Sequence, residues 1–522
     1  MLVRLVLRRD RVRLALWTAG IVGLVAVSAA SVTGLYSTQQ QLENYARTVQ
    51  GNSALIVQAG PGYGLDDPTV GAVMMNETAL WTFIGAALMS IFMVVRHTRT
   101  EEETERAELV RAAPVGRHAA LLAAMIGTAS ANSVVAVGLV IGLVAFGMGV
   151  TGSIAFGLSS LGVGMVFAGI AAVAAQIAGG SRAALGLGGI AIGVSFALRA
   201  IGDVGNGVLS WASPLGWAQA IRAFADERWW VLAIPIVAVA ALSWTAVALQ
   251  AHRDFGAGLV PQRPGAAAGA DHLATPLGLA IRLQRGATIG WIVGLGLLAF
   301  FYGIVADQAE QILEDNPDME DFFAQLGQGS ITDVFIATSL LIMALMASGF
   351  TVSSVLRLRS EEVAARADPV LVAPVSRRRW AGGHLIVAIV GTTVVMFVVG
   401  AATGLGYGVV VGDIGQTVRL SAAGLALVPA LLVLAGAALA LHGLGPRWSP
   451  LTWGLVAWVA IAGLLGGVLD LPQWALDLSP FEHVPGLPAD SVSWPPIVAL
   501  LVVAAALMAL GFALLDRRDI AN

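Results

Sequence analysis

Long apolar runs broken by short polar stretches organise this chain, and their lengths predict membrane-crossing helices. Taking ~20 apolar residues per crossing, spans are expected near 14–36, 77–96, 119–149, 155–178, 183–204 and 231–251. A polar stretch from His252 to Gly286 follows, and its Pro261-to-Gly269 part has the composition of a flexible linker. Further spans are expected near 287–306, 333–356, 380–411, 418–443, 449–470 and 495–515. The pattern predicts an all-α integral membrane protein of about twelve transmembrane helices. The stretches 119–149 and 380–411 exceed one crossing and must tilt, kink or extend beyond the lipid.

Composition agrees. The chain is 57% hydrophobic and 12% charged, with a mean hydropathy of +0.81. Ordinary soluble domains are about half apolar and about a quarter charged. The absence of cysteine excludes disulfides and thiol chemistry. All 29 basic side chains are arginine. Without lysine the chain cannot carry a Walker A loop, whose lysine holds the nucleotide phosphates.

Charge placement orients the spans. A cytoplasmic amino terminus puts Arg96 to Arg117, Arg182, Arg253 to Arg285, Arg357 to Arg379, Arg447, Arg517 and Arg518 inside. The acidic run Asp307, Glu310, Glu314, Asp315, Asp318, Glu320 and Asp321, together with Asp470, Asp477, Glu482 and Asp490, then falls outside. Arg47, Arg222 and Arg228 are outnumbered exceptions. Both termini are therefore expected in the cytoplasm. The first arginines are no secretory signal, because the apolar stretch from Leu14 to about Leu35 is too long. Arg4, Arg8 and Arg11 share one helical face, with Val3, Leu7 and Leu14 around the other. This reads either as an interfacial helix leading into the first span or as a charged flank.

The two halves read as an internal repeat. Arg11, Trp17 and Gly20 match Arg285, Trp291 and Gly294; Ser213-Pro214 matches Ser479-Pro480; Leu249, Arg253 and Asp254 match Leu514, Arg518 and Asp519. The strongest match is a charged block between the second and third span of each half. Arg99, Glu101, Glu102, Arg106, Pro114 and Arg117 correspond to Arg359, Glu361, Glu362, Arg366, Pro374 and Arg377. An even number of spans per half makes the repeats parallel. The expected division is a first six-span half over 1–254, a cytoplasmic linker and connecting helix over 255–284, and a second six-span half over 285–522.

Within the block, Glu102 and Arg106, and Glu362 and Arg366, stand four apart in the order that favours a helical ion pair, worth about 0.3–0.5 kcal/mol on a surface. Pro114 and Pro374 bias the alanine before them away from helix, so a chain reversal is expected there. Pro369 is expected to shorten or break the second helix. A solvated charged helix tying two spans together would account for one such block; two at matched positions shift the balance toward a function, because generic solvated loops drift freely in sequence.

This duplicated pattern resembles the cytoplasmic coupling element of type 2 ABC exporter permeases, most of all the fused two-half actinobacterial forms associated with tetronasin and multidrug export. The resemblance extends over nearly the full chain. It implies six spans per half, an amphipathic connecting helix, and short extracytoplasmic helices before each sixth span. It further implies that Glu101, Glu102, Arg106, Pro114, Arg117, Glu361, Glu362, Arg366, Pro374 and Arg377 couple the spans to two copies of a cytosolic ATPase. ATP and Mg would be bound by that partner, with no cofactor and no catalytic group on this chain. The setting implied is a bacterial plasma membrane, the cargo a hydrophobic or amphipathic compound such as an antibiotic, and nucleic acid is no expected partner.

Other features weigh less. The histidines His97, His118, His252, His272, His384, His442 and His483 are scattered without metal-ligand spacing. Trp81, Phe83, Phe92, Phe301 and Phe335 are candidates for lining a substrate pathway, although core or lipid-facing packing accounts better for any one of them. The alternative function is a twelve-span secondary carrier driven by an ion gradient. That reading calls for ionisable groups inside the spans, and the predicted span interiors hold few.

Overall fold

The computed structural model describes residues 2–50, 53–104, 108, 112, 115–260, 269–308, 330–466 and 471–518. Much of the predicted Pro261-to-Gly269 linker, the acidic run beyond Gln308, and Asp470 lie outside the described residues. The fold is all-helical and divides into two compact units, Met1–Gly265 and Ala266–Asn522.

Unit 1 holds the long helices α1 (Leu2–Leu35), α2 (Val70–Val95), α3 (Ala119–Ala145), α4 (Val150–Ile177), α5 (Ser181–Val204) and α6 (Ala233–Ala251). Unit 2 holds α7 (Pro276–Val305), α8 (Ile331–Val355), α9 (Arg377–Val411), α10 (Gln416–Leu444), α11 (Leu451–Leu465) and α12 (Trp494–Arg517). Among the described residues, 11 helices are long and apolar enough to cross a membrane. The remaining apolar helix, α11, has 15 residues. At 1.5 Å per residue it covers ~22 Å, short of a ~30 Å hydrocarbon core. Each expected span therefore has a helix. The 119–149 stretch ends as helix at Ala145, where a turn through Gly147, at φ +81°, leads into α4; the 27 residues of α3 still cover ~40 Å, more than one ~30 Å crossing. The 380–411 stretch is one unbroken helix of 35 residues, ended by Gly412 in the left-handed conformation. The amino-terminal arginines continue into the first span without a break.

In unit 1, α4 is the central helix, packed on α2, α3, α5 and α6, while α1 packs on α2 and α3. In unit 2, α10 packs on α8, α9, α11 and α12, and α7 packs on α8 and α9. Burial follows this arrangement. The most apolar windows of α2 and α4 are 72% and 67% buried, against 22% and 17% for the α1 and α6 regions. Apolar surface of that kind is stable only in lipid, so the outer helices carry Leu, Ile, Val and Trp such as Ile236 and Trp244 facing outward.

Helix contacts inside a membrane rely on close backbone approach instead of water exclusion. Gly400, Gly404 and Gly408 stand one turn apart on α9 and face Leu420, Gln416 and Asp413 at the start of α10. A Cβ at Gly400 would come within 2.2 Å of the Leu420 carbonyl oxygen. Short helices precede each sixth helix: Pro214–Ala220, capped by Ser213, before α6, and Gln473–Leu476 before α12.

Candidate functional site

The charged block of unit 1 begins where α2 widens into a π-turn at Arg96–Thr100 and continues as the short helix Glu101–Glu103. A π-turn shifts the helical register, and here it buries three consecutive residues, His97, Thr98 and Arg99. The Arg99 side chain is 1% exposed. Its Nη2 donates to Gly179 O (2.8 Å) in the α4–α5 turn, and its Nη1 donates to Ala257 O (3.0 Å) beyond α6. Glu102 accepts from Arg99 at 2.8 Å and from both Nη atoms of Arg253, just past the end of α6. Arg253 Nε in turn donates to Gln176 Oε1 on α4 (2.7 Å). Arg117 Nη2 donates to Gln250 O (2.9 Å) and Ala251 O (3.2 Å), satisfying carbonyls that the end of α6 leaves without helical partners. Glu103 accepts from Ser181 N (2.7 Å) at the start of α5.

The start of α1 is pinned to the same place. Asp10, 3% exposed overall, lies 2.5 Å from His97 Nε2 and 2.9 Å from Arg96 Nε. Arg9 pairs with Glu101 at 2.8 Å. One end of unit 1 is thus a polar strut joining α1, α2, the α4–α5 turn and the end of α6.

Unit 2 builds a corresponding strut from the matched positions. Arg518 donates to both carboxylate oxygens of Glu362 at 2.7 Å and to His442 O at 3.2 Å. His442 Nε2 lies 3.3 Å from Glu362, and its Nδ1 is 3.2 Å from Ser449 Oγ. Arg359 Nε donates to Pro446 O (2.9 Å) in the α10–α11 turn. Arg377 Nη1 donates to Arg518 O. In place of the ionic contact at Asp10, Gln284 on α7 bonds neutral partners, His384 at 3.1 Å and Ser354 at 2.5 Å.

Two expectations about these residues need correction. Glu362 and Arg366 do not form the expected i,i+4 pair. The helix Arg357–Val363 ends before Arg366, and Ala365 turns the chain with φ +53°, so Arg366 folds back to Glu361 at 2.8 Å. The Glu361 carboxylate hydrogen bond holds the Arg366 guanidinium pKa above its ordinary value. Nor is either glutamate a surface group, since the Glu102 and Glu362 side chains are 9% and 5% exposed. Arg106 and Pro114 lie outside the described residues. The break in the second block falls at Ala364–Ala367, and Pro369 opens a new short helix, Asp368–Val372. Ala373 before Pro374 is extended at ψ 164°, as the proline requires.

The aromatic candidates do not converge on one place. Phe83 is fully buried in the core of unit 1, 5.8 Å from Phe156. Phe335 stacks on Tyr302 at 6.2 Å in unit 2. Trp81, Phe92 and Phe301 are exposed on their own units, Phe92 lying 6.2 Å from Trp17.

Sequence reasoning missed Asp10, His97, Gln176 and His442. It used Arg253 and Arg518 only as anchors of the repeat. Their partners stand too far along the chain for spacing to signal them; Arg253 and Glu102 are 151 residues apart. The repeat did hold a usable signal: an arginine just past each sixth span calls for a carboxylate at an equally matched position.

Comparison with known proteins adds two findings. Residues 273–515 match the family described as the C-terminal domain of the multidrug efflux system permease Rv1217c. The whole chain is similar to the multidrug efflux system permease protein Rv1217c of Mycobacterium tuberculosis strain H37Rv, 39% identical over 526 residues, covering 99% of this chain and 94% of that protein.

Proposed function

The chain belongs to the family of multidrug efflux system permeases that includes Rv1217c, and from that premise we propose that it is the membrane half of an ATP-driven exporter of hydrophobic or amphipathic compounds such as antibiotics. Two copies of a cytosolic ATPase supply the energy, and ATP and Mg bind there. The absence of lysine supports this division of labour, because a nucleotide-binding P-loop needs one. The site is a bacterial plasma membrane, with both termini cytoplasmic on the distribution of arginine.

The observation that carries the reading is the doubled strut. Glu102–Arg253 and Glu362–Arg518 join matched residues, and Arg117 and Arg377 donate to main-chain carbonyls at matched helix ends. The recurrence of helix neighbours supports a parallel six-helix repeat. A cytoplasmic block bonded at once to the end of the sixth helix and the turn between the fourth and fifth has a physical route for force. Movement of the block by a docked ATPase would move three helix ends together. Glu101, Glu102, Arg106, Pro114 and Arg117 with Glu361, Glu362, Arg366, Pro374 and Arg377 are the coupling set. Trp81, Phe83, Phe92, Phe301 and Phe335 are the pathway candidates, with Phe83 limited by its burial to a packing role.

Efflux from proteoliposomes containing the permease and its ATPase tests the reading. Export is expected to need ATP and to continue when ionophores collapse proton and sodium gradients. Export that stops under ionophore while ATP hydrolysis continues would favour the ion-driven carrier.

A further inference from the structure

Carboxylates inside the long helices are few, and their partners separate one from the rest. They stand at Asp10, Glu77, Asp203, Asp333 and Asp516. Asp10 pairs with Arg96, Asp203 with Arg199, Asp333 with Arg419 and Asp516 with Arg378. Glu77, on α2, pairs with no arginine or histidine among the described residues. Its Oε1 accepts from the hydroxyl of Tyr36, just past α1, at 3.3 Å. Glu77 lies ~10 Å along the helix axis from Val70 and ~28 Å from Arg96, at the end of unit 1 opposite the strut.

We propose that Glu77 and Trp81 form a binding site for a lipophilic organic cation, such as a quaternary ammonium, a phosphonium or a protonated amine. The packing of α2 sets the geometry. Its neighbours bury it on nearly every side, and beyond Val70 the positions left unburied are Glu77, Trp81, Ile84, Gly85, Leu88 and Phe92. Steps of three and four put these on one helix face. Trp81 is 41% and Phe92 47% exposed, so the carboxylate heads a stripe that continues as aromatic and aliphatic surface. Tyr45 supports the head of that stripe, standing edge-to-face with Tyr36 at 5.3 Å and donating to Asn76 Oδ1 at 2.8 Å.

Charge decides the sign of the ligand. A carboxylate held against apolar helices without a counter-ion is costly, and a bound cation offsets that cost. The surroundings decide its kind. A metal ion takes several oxygen ligands, and no metal-holding group of carboxylates and histidines gathers there among the described residues. An indole one turn from the carboxylate instead offers a π-system, whose face attracts ammonium-type cations. Unit 2 lacks the pair. Counting back from the matched Arg99 and Arg359 puts Ala337 and Leu341 of α8 where α2 has Glu77 and Trp81. One cation per chain follows. Its part as cargo rests on the exporter reading above, in which the end opposite the strut is the end where cargo leaves.

Equilibrium binding of radiolabelled tetraphenylphosphonium to the full chain in phosphatidylcholine nanodiscs tests this, with binding to empty discs subtracted. Tetraphenylborate, an anion of the same shape, reports the preference for charge. The wild type is expected to bind one tetraphenylphosphonium per chain and to prefer it to the borate. Glu77→Gln keeps an oxygen to accept from Tyr36. It is expected to keep its melting midpoint while lowering phosphonium affinity about tenfold, with borate bound no more weakly. Trp81→Leu, which leaves the carboxylate, is expected to weaken phosphonium binding about threefold. Phosphonium binding no greater than to empty discs, or equal in wild type and E77Q, overturns the proposal. Loss of phosphonium and borate alike in E77Q would leave the glutamate a structural role only and overturns it too. Undiminished affinity in W81L overturns the indole's part in the site. Binding needs neither ATP nor an ion gradient, so failure here leaves the ATP-driven reading standing, and export that stops under ionophore leaves this site standing.

Discussion

The struts of the two units each centre on a glutamate, in different company. Glu102 sits between two guanidinium groups, and one of them, Arg99, is almost wholly buried. Glu362 sits between Arg518, whose side chain is 12% exposed, and the imidazole of His442. Arg99 also donates to several carbonyls on both sides of the strut, whereas Arg359 donates to one. At the start of the first helix the contrast repeats, with Asp10 ionic in unit 1 and Gln284 neutral in unit 2. One position can therefore be held firmly or loosely according to how much buried charge depends on it. A carboxylate whose loss strands two buried cations is the firmer. The strut of the first unit thus gathers more buried charge around its glutamate than the strut of the second.

The largest effect tests whether both struts share a membrane face at all. In this cysteine-free chain, T104C and A364C are expected to resist an impermeant thiol reagent applied to intact cells, while E320C is labelled. External labelling of only one of the first two would separate the struts and end the comparison.

Next comes the carboxylate itself. E102Q leaves Arg99 and Arg253 without their counter-ion and is expected to cost about 3–5 kcal/mol, the loss typical of breaking a buried pair. E362Q should cost less, because Arg518 reaches solvent. The melting midpoints of the purified variants rank the two, and a larger drop for E362Q would reverse that order.

Smaller effects follow at the turn arginines. R117Q removes charge-assisted bonds to the carbonyls closing α6, worth roughly 1.5–3 kcal/mol, whereas R377Q removes a bond to Arg518 O. With the ATPase present, substrate-stimulated hydrolysis should fall further in R117Q than in R377Q. Equal losses would mean that both turns transmit force alike. The smallest expected change is at Ala365, which holds a left-handed conformation at φ +53°. A365G relieves that strain and should raise the melting midpoint by an amount equivalent to roughly 1 kcal/mol or less. A drop would show that the alanine methyl group contributes packing that outweighs the strain.

Much of this molecule was legible in its residues. A lipid-solvated helix must be apolar for its whole length, so hydropathy alone located every span, even the short helix α11 from Leu451. The absence of lysine excluded a P-loop, and the matched Arg99-to-Arg117 and Arg359-to-Arg377 blocks drew attention to the candidate site. What those blocks do was misread locally, since a glutamate and an arginine four apart look like a surface pair. Only the folded chain brings Glu102 to Arg253 and Glu362 to Arg518, because those partners lie on the far end of each unit's sequence. Only the fold widens α2 at Arg96–Thr100, which turns His97 toward Asp10 and buries Arg99. Periodicity reports which residues meet lipid, a property of one helix and its solvent. Which charges meet one another depends on where several helix ends arrive together, and that is decided by the packing of the whole unit.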